Sequence, residues 1–561
     1  MAPPRGDGSA ARGYDDPMTS ELSADVVVVG SGAAGLSAAV SAAVALTESG
    51  EGGSVLLLER SDRLGGTTAV SGGVAWLPNN DHMRELELSD SPERALDYLR
   101  AISLGRADPA LLEAFVAAAP EAARFLEAET PLRFSAAGRG NPAGGVLPFP
   151  DYQADLPGGA ANGRSLDPAP FDPSALGDLA EALREPLPYS VSWSGGGLVL
   201  DSGEWVGGRA LAGALIAGAL AHGVRIERGV RARRLIADAA GRVAGIEAER
   251  EGDVLRIEAR RGVVLAAGGF EWDGELRREW LRGPVDALLS PQGLAEGDAL
   301  RMAMERGAAL ANLGEAWWTL AVRLAGEGDG PEDAQGELRF LSGPRSLPGS
   351  ILVNRLGRRF VNEAVNYHDI VRAFHVFDPG AFTYLNRPAW FLFGESYRRA
   401  YGLLSAAPGD PDPPWLQPAP SLEALAAGCG IDATGLRETV VRFDEHATRG
   451  VDPDFGRGEG SYDLATGDPS REGRARTLGP IGGPPYYALE VHVAVLGTSS
   501  GLRVDAEGRV LDVRGEPIAG LHAAGNTIAA PTGPGYGGGG GTIGPALTFG
   551  YLAGRTAARG G

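Results

Sequence analysis

The sequence predicts an α/β protein whose first domain is discontinuous, built from both chain ends around an inserted α+β domain. Three observations predict it. Residues 25–59 run from an apolar strand through a glycine turn into a helical pattern and a second apolar strand. Residues 321–495 differ in character, with charged helices and Pro-rich loops near 407–419. From Leu496 the strand-and-glycine character of the N-terminal part returns. The expected division is a disordered tail over 1–22, a first part over 23–320, the insert over 321–495 and a second part over 496–561.

The opening unit carries the strongest signal. Four valines, Val26 to Val29, meet Gly30-Ser31-Gly32-Ala33-Ala34-Gly35. Leu36, Val40 and Val44 then fall on one helical face, and Val55 to Leu58 end in Glu59 and Arg60. GxGxxG in this strand–turn–helix–strand–acid context is a dinucleotide fingerprint, so the first domain is expected to be Rossmann-like. Gly30 permits the tight turn, Gly32 lets backbone approach a pyrophosphate, and Gly35 lets helix and strand pack closely. The helix N-terminus, with Ala33 and Ala34, offers N–H groups to phosphate. Glu59 suits ribose hydroxyls, with Arg60 beside it.

The place of the unit at the chain start points to FAD in a glutathione-reductase-like domain. Its continuation Gly65-Gly66-Thr67-Thr68-Ala69-Val70-Ser71-Gly72-Gly73 supports this, with small and hydroxyl residues suited to backbone running along a cofactor. No His or Cys stands in that stretch, so noncovalent FAD is expected.

Composition excludes several function classes. The net charge of −21 argues against nucleic acid and anionic membrane surfaces. There is no lysine, which rules out Schiff-base lysine chemistry and a Walker P-loop. Cys429 is the one cysteine, so an intrachain disulfide is impossible. His82, His222, His368, His375, His446, His492 and His522 show no metal-binding spacing, and no metal is expected. The first twenty residues lack a cationic start and apolar core, and Ala210 to Ala221 is too short to span a bilayer. A cytoplasmic protein without an integral membrane segment is expected.

Residues 90–130 read as helices, and 133–205 as a long irregular stretch of the kind that is often functional. Val224 to Gly269 reads as a three-stranded meander with turns near Ala239–Gly241 and Glu251–Gly252. It ends in Val263-Val264-Leu265-Ala266-Ala267-Gly268-Gly269, similar to the strand on which FAD domains close over the adenosine. Near the C-terminus, a strand leads to Gly525-Asn526, and Tyr536 precedes five glycines, Gly537 to Gly541. Thr542-Ile543-Gly544-Pro545 then begins a helix, with Pro545 in the first turn where its missing N–H is harmless. That N-terminus is expected to face the flavin pyrimidine, where hydride transfer leaves negative charge. The expected cofactor set is completed by Ala267, Gly268, Gly525, Asn526, Gly541 and Ile543.

The segments GSGAAGLSAA, FPDYQADLPGG, LPGSILVNRLGRRFVNEAVNY, PPYYALEV, GLHAAGNT and TIGPALTFGY stand in one order along the chain. They resemble the FAD-dependent 3-ketosteroid Δ1-dehydrogenases, within the fumarate reductase flavoprotein superfamily. The resemblance implies removal of hydrogen from C1 and C2 beside a C3 ketone, with an external electron acceptor. It implies that the Tyr536 hydroxyl and Gly540 N–H hold the ketone, that Tyr367 takes the C2 proton, and that Tyr152 assists. The family pattern after the tyrosine is Pro-Gly-Pro-Gly; here it is four glycines, so a less rigid Gly540 is expected. Trp317, Trp318 and Phe340 are candidate walls of an apolar slot, whereas Tyr486 and Tyr487 read as strand packing. Action at another ring position, or on a non-steroid cyclic enone, stays open. A fumarate-reductase-like reaction needs cations for two carboxylates, and residues 529–544 contain no Arg or His. A flavoprotein that only carries electrons would not need the three tyrosines.

Overall fold

A computed structural model of the protein describes residues 21–50, 52–140, 146–187, 200–324 and 337–560. Residues 1–20 of the expected tail lie outside the described residues, and the first strand already begins at Glu21.

The first sheet forms around β1 (Glu21–Val29), whose valines are buried on both faces. It pairs in parallel with β2 (Val55–Glu59), and β2 with β3 (Arg225–Arg228). Such two-sided burial is what a continuous valine run in a parallel sheet implies. Between them lie α1 (Ala33–Glu48) and α2 (Gly207–Ala221). The meander follows as β4 (Arg231–Ala237), β5 (Val243–Arg250) and β6 (Asp253–Leu265), antiparallel to one another. Its expected first strand is two strands: the chain turns at Gly229, so that β3 pairs with β2 and β4 pairs with β5.

The second half of β6 returns beside β1, parallel to it. A later segment, β13 (Pro517–Ala523), joins the other edge of β6, again in parallel, and β12 (Arg509–Leu511) caps it. The sheet order β12-β13-β6-β1-β2-β3 thus draws strands from both ends of the chain.

The second sheet is antiparallel along the order β8 (Glu337–Phe340), β7 (Ala316–Leu324), β11 (Tyr486–Thr498), β10 (Ala389–Gly394), β9 (Ser350–Asn354), with the short strand Ala287–Leu288 added to β11 in parallel. A bulge between Trp317 and Trp318 interrupts the β7–β11 register. Tyr487 packs within this sheet against Phe393, and its hydroxyl donates to Asp412.

The C-terminal helix α3 (Ile543–Arg559) lies against α1 at very close range. A Cβ on Gly550 would stand 2.4 Å from the Ala34 carbonyl, and one on Gly554 would stand 2.2 Å from that of Ala38. The Ser37 hydroxyl donates to Leu547 O across the same contact. Small residues let two helices meet backbone to backbone here, and this contact sets where α3 begins relative to the glycine turn of β1.

Gly554→Val would force these helices apart. The expected cost is about 1–3 kcal/mol, the scale of overpacking a tight contact. Gly428→Ala, in an open helical position with no atom near the new Cβ, is the control and is expected to be neutral or slightly stabilising. Urea denaturation midpoints of the two purified variants check this, and equal midpoints would contradict the tight-contact account.

Candidate active site

One continuous cavity runs between the two sheets. Its near end is formed by Leu58 and Glu59, its floor by Gly30 to Ala34 and Ala266 to Gly269, and its far end by Trp317, Tyr367 and Tyr536. Of the expected cofactor residues, Gly30, Gly32, Ala33, Ala34, Glu59, Arg60, Gly66, Thr67, Thr68, Ser71, Gly72, Gly73, Ala267, Gly268, Gly525, Asn526 and Ile543 all line it. Gly35, Gly65 and Gly541 do not. Gly35 faces the Gly30 carbonyl, Gly65 faces Ala69 and Leu183, and Gly541 lies against the Tyr536 ring. They are packing positions that let the lining residues sit where they do.

At the near end Ser31 is the organising residue. Its hydroxyl donates to Glu59 Oε2 at 2.6 Å and accepts from Gly65 N at 3.0 Å. Thr68 Oγ1 accepts from Ala33 N at 3.0 Å, tying the helix start to the second glycine segment. Arg60 forms ion pairs with Glu296 and Asp298, as does Arg231. This four-residue cluster borders the cavity. The walls between are mostly backbone and small side chains, which fits a long cofactor held by N–H groups and a helix N-terminus rather than by side-chain cations.

At the far end four tyrosines meet. Tyr152, Tyr367, Tyr462 and Tyr536 are buried in one aromatic cluster with Phe149 and Trp317. Tyr152 stacks on Tyr536 with ring centroids 5.3 Å apart, and meets Tyr367 edge-on at 5.4 Å. The Tyr536 hydroxyl accepts from Tyr367 at 3.1 Å and from Thr542 at 3.1 Å. It lines the cavity beside these two partners. The Tyr152 hydroxyl has no completed hydrogen bond, yet it lies near enough to the Tyr367 hydroxyl to affect its acidity. Desolvation pushes Tyr152 and Tyr367 well above the ordinary tyrosine range, and Tyr536 upward as well.

The tract that carries Tyr536 is clamped along its length. Tyr98 donates to Gly537 O at 2.6 Å, Ser165 to Gly539 O at 2.8 Å, and Trp76 N to Gly540 O at 3.0 Å. A Cβ on Gly537 or Gly538 would run into the Trp76 ring at under 3 Å, so this backbone lies flat on the indole. Gly540 has φ +90°. The looseness expected from the missing prolines is therefore absent: tertiary hydrogen bonds and an aromatic face replace ring constraint. Among the described residues the Gly540 N–H has no acceptor, and it borders the cavity with Tyr536.

His368 adds a further tie. Its Nδ1 accepts from Trp318 N at 3.3 Å, so Nε2 carries the hydrogen and donates to Pro534 O at 3.1 Å. Burial keeps this imidazole neutral by lowering its pKa. Of the three candidate walls, Trp317 and Phe340 line the cavity. Trp318 does not: beyond the bulge it points into the main core. Trp317 Nε1 donates to Asn526 Oδ1 at 2.9 Å, joining the slot wall to the cofactor side. Ser31, Thr542, Tyr462 and His368 were not expected from sequence. Tyr462 is the one that a search for further buried tyrosines could have raised.

The FAD binding domain family matches residues 25–543. The chain is 40% identical over 554 residues to 4-oxocyclohexanecarboxylate 2-dehydrogenase of Sinomonas cyclohexanicum, covering 95% of this chain and 92% of that one. It is 37% identical over 576 residues to 3-oxosteroid 1-dehydrogenase of Mycobacterium tuberculosis, covering 94% and 97%. The crystal structure of 3-ketosteroid delta1-dehydrogenase from Sterolibacterium denitrificans in complex with 1,4-androstadiene-3,17-dione matches with a TM-score of 0.84 at 33% identity, over 96% of this chain and 99% of that one. The chain thus belongs to the FAD-binding family that contains the 3-ketosteroid Δ1-dehydrogenases, and it is an FAD-dependent oxidoreductase.

Proposed function

We propose that this protein introduces a C1–C2 double bond into a 3-ketosteroid. The observation that carries the reading is the meeting of the Tyr536 hydroxyl and the unengaged Gly540 N–H on one cavity wall. Two convergent donors suit a ketone oxygen that gains negative charge as the α-proton leaves. Tyr536 and Gly540 hold that oxygen. Tyr367, hydrogen-bonded to Tyr536, stands next to the α-carbon and takes its proton. Tyr152, whose hydroxyl has no completed hydrogen bond, is placed to donate to the Tyr367 oxygen and ease its ionisation. Bound FAD supplies the hydride acceptor at flavin N5. Trp317, Phe340, Leu289 and Leu496 give the ring system an apolar bed.

The 40% identical relative makes a monocyclic keto acid the second reading. A carboxylate calls for a cation. The cations lining the cavity are Arg60 and Arg231, both paired with Glu296 and Asp298 at the end remote from the tyrosines. A neutral, apolar ketone fits the tyrosine end better. The FAD is held noncovalently, an external acceptor reoxidises it, and the enzyme works in the cytoplasm. Among the described residues no helix is long and apolar enough to cross a membrane.

Anaerobic mixing of the yellow protein with 4-androstene-3,17-dione is expected to bleach the flavin, while 4-oxocyclohexanecarboxylate leaves it oxidised. The opposite pattern would replace the steroid reading with the monocyclic one. Tyr367→Phe is expected to keep FAD and lose flavin reduction by roughly 10²–10⁴-fold, the range of a general base. Unimpaired reduction removes Tyr367 from that role. Acid precipitation is expected to release all the flavin into the supernatant, and yellow colour staying with the pellet contradicts noncovalent binding.

A further inference from the structure

The dehydrogenation proposed above, on which this inference rests, asks a phenol to take a proton where burial opposes phenolate formation. Burial raises Tyr152 and Tyr367 well above the ordinary range. A compensating positive charge is needed close by, and Arg345 stands in the right place. It is wholly buried, on the short helix Gly343–Ser346. Among the described residues it forms no ion pair. Its Nε donates to Leu341 O at 3.3 Å, and its Nη1 donates to the carbonyls of Glu363 and Val365. Those two carbonyls belong to the loop that carries Tyr367. Leu341 follows Phe340, whose ring packs on Tyr367 at 5.2 Å.

The surrounding charges leave Arg345 facing the phenols. It interacts electrostatically with Tyr462, Asp463 and Tyr152, with Arg457 opposing. Arg457 is neutralised by Glu363, which also pairs with Arg359, itself bridged to Asp452. Asp463, the negative charge beside Arg345, accepts through Oδ2 from Asn362 Nδ2 and Gly458 N. His368, packed on Tyr536, is neutral. Tyr152 and Tyr367 are each influenced by the other phenols of the cluster.

We propose that Arg345 is a positioning residue for the reaction, its bonds to the 363 and 365 carbonyls holding Tyr367 in place while its buried charge, set beside Tyr152 and Tyr462, favours phenolate character in the cluster they form with Tyr367. In the step itself Tyr367 is the phenolate: the α-C–H bond breaks, its proton goes to the phenolate oxygen, and Tyr367 becomes the neutral phenol. The electron pair left behind becomes the new C=C as hydride departs from the neighbouring carbon to the flavin. Arg345 gives up and gains no proton.

The test is the pH profile of single-turnover flavin reduction by 4-androstene-3,17-dione in the holoenzyme. The rate rises with pH as the base deprotonates. Arg345→Gln is expected to move that rise up by about one to two pH units, the effect of a unit charge several ångströms away at an effective dielectric near 20, with little change in KM. Arg345→Lys, which keeps the charge, is expected to return it close to the wild-type position. Asp463→Asn removes the opposing charge and is expected to move the rise down. An unmoved profile in a yellow, folded Arg345→Gln protein would overturn the proposal, as would an Asp463→Asn profile that is unmoved or moves up. Should Arg345→Gln fail to hold FAD, Asp463→Asn decides by its direction alone. Should the wild-type flavin not respond to the steroid, the substrate reading fails. Arg345 is then judged by ultraviolet phenolate titration, in which Asp463→Asn must ionise a tyrosine at lower pH.

Discussion

Exclusion of water from a handful of phenol hydroxyls is the constraint on which the far end of this molecule depends. Tyr152, Tyr367, Tyr462 and Tyr536 come from four separate stretches of chain, yet they pack as one cluster. Loops and one short helix bring them together. In a dry setting a hydrogen bond to a developing negative charge is worth more, because no water competes for it. The same dryness resists forming a phenolate. A site of this design must supply strong donors to the substrate oxygen and an electrostatic counterweight for the base.

The glycine tract meets the first demand by an indirect route. Five successive glycines would ordinarily signal a linker. Here they allow the chain to lie against the Trp76 indole and leave the Gly540 N–H unengaged at the cavity. Trp76 is itself fixed, with Nε1 donating to Asp151 at 2.7 Å and Asp151 paired with the buried Arg164. Asp151 precedes Tyr152, so the clamp that flattens the tract also sets one of the tyrosines. The close contact of α1 with α3 carries the same precision to the near end, because α1 starts at the dinucleotide turn and α3 starts at the end of the tract.

Much of this was legible in the sequence where the signal is local. The GSGAAG turn, the valine strand before it and the acid after it lie within 35 residues, and their roles follow from backbone geometry. Tyr152, Tyr367 and Tyr536 could be singled out because each sits in a recognisable segment. What was hidden depends on distant partners. Ser31 reads as a spacer between two glycines, yet it binds Glu59 and Gly65. His368 gains meaning only when Pro534 arrives 166 residues later. Trp317 and Trp318 are indistinguishable by composition, and strand alternation sends them to different sides of the sheet, one to the cavity and one to the core. The rigidity of the glycines is a tertiary property, so counting prolines misjudged it.

The most direct test of the account is a crystal structure of the FAD-bound protein soaked with 1,4-androstadiene-3,17-dione. The account predicts the C3 carbonyl oxygen within hydrogen-bond distance of both the Tyr536 hydroxyl and the Gly540 N–H, with Tyr367 beside C2. A carbonyl bound away from both donors, or a steroid lying outside the tyrosine cluster, would contradict it.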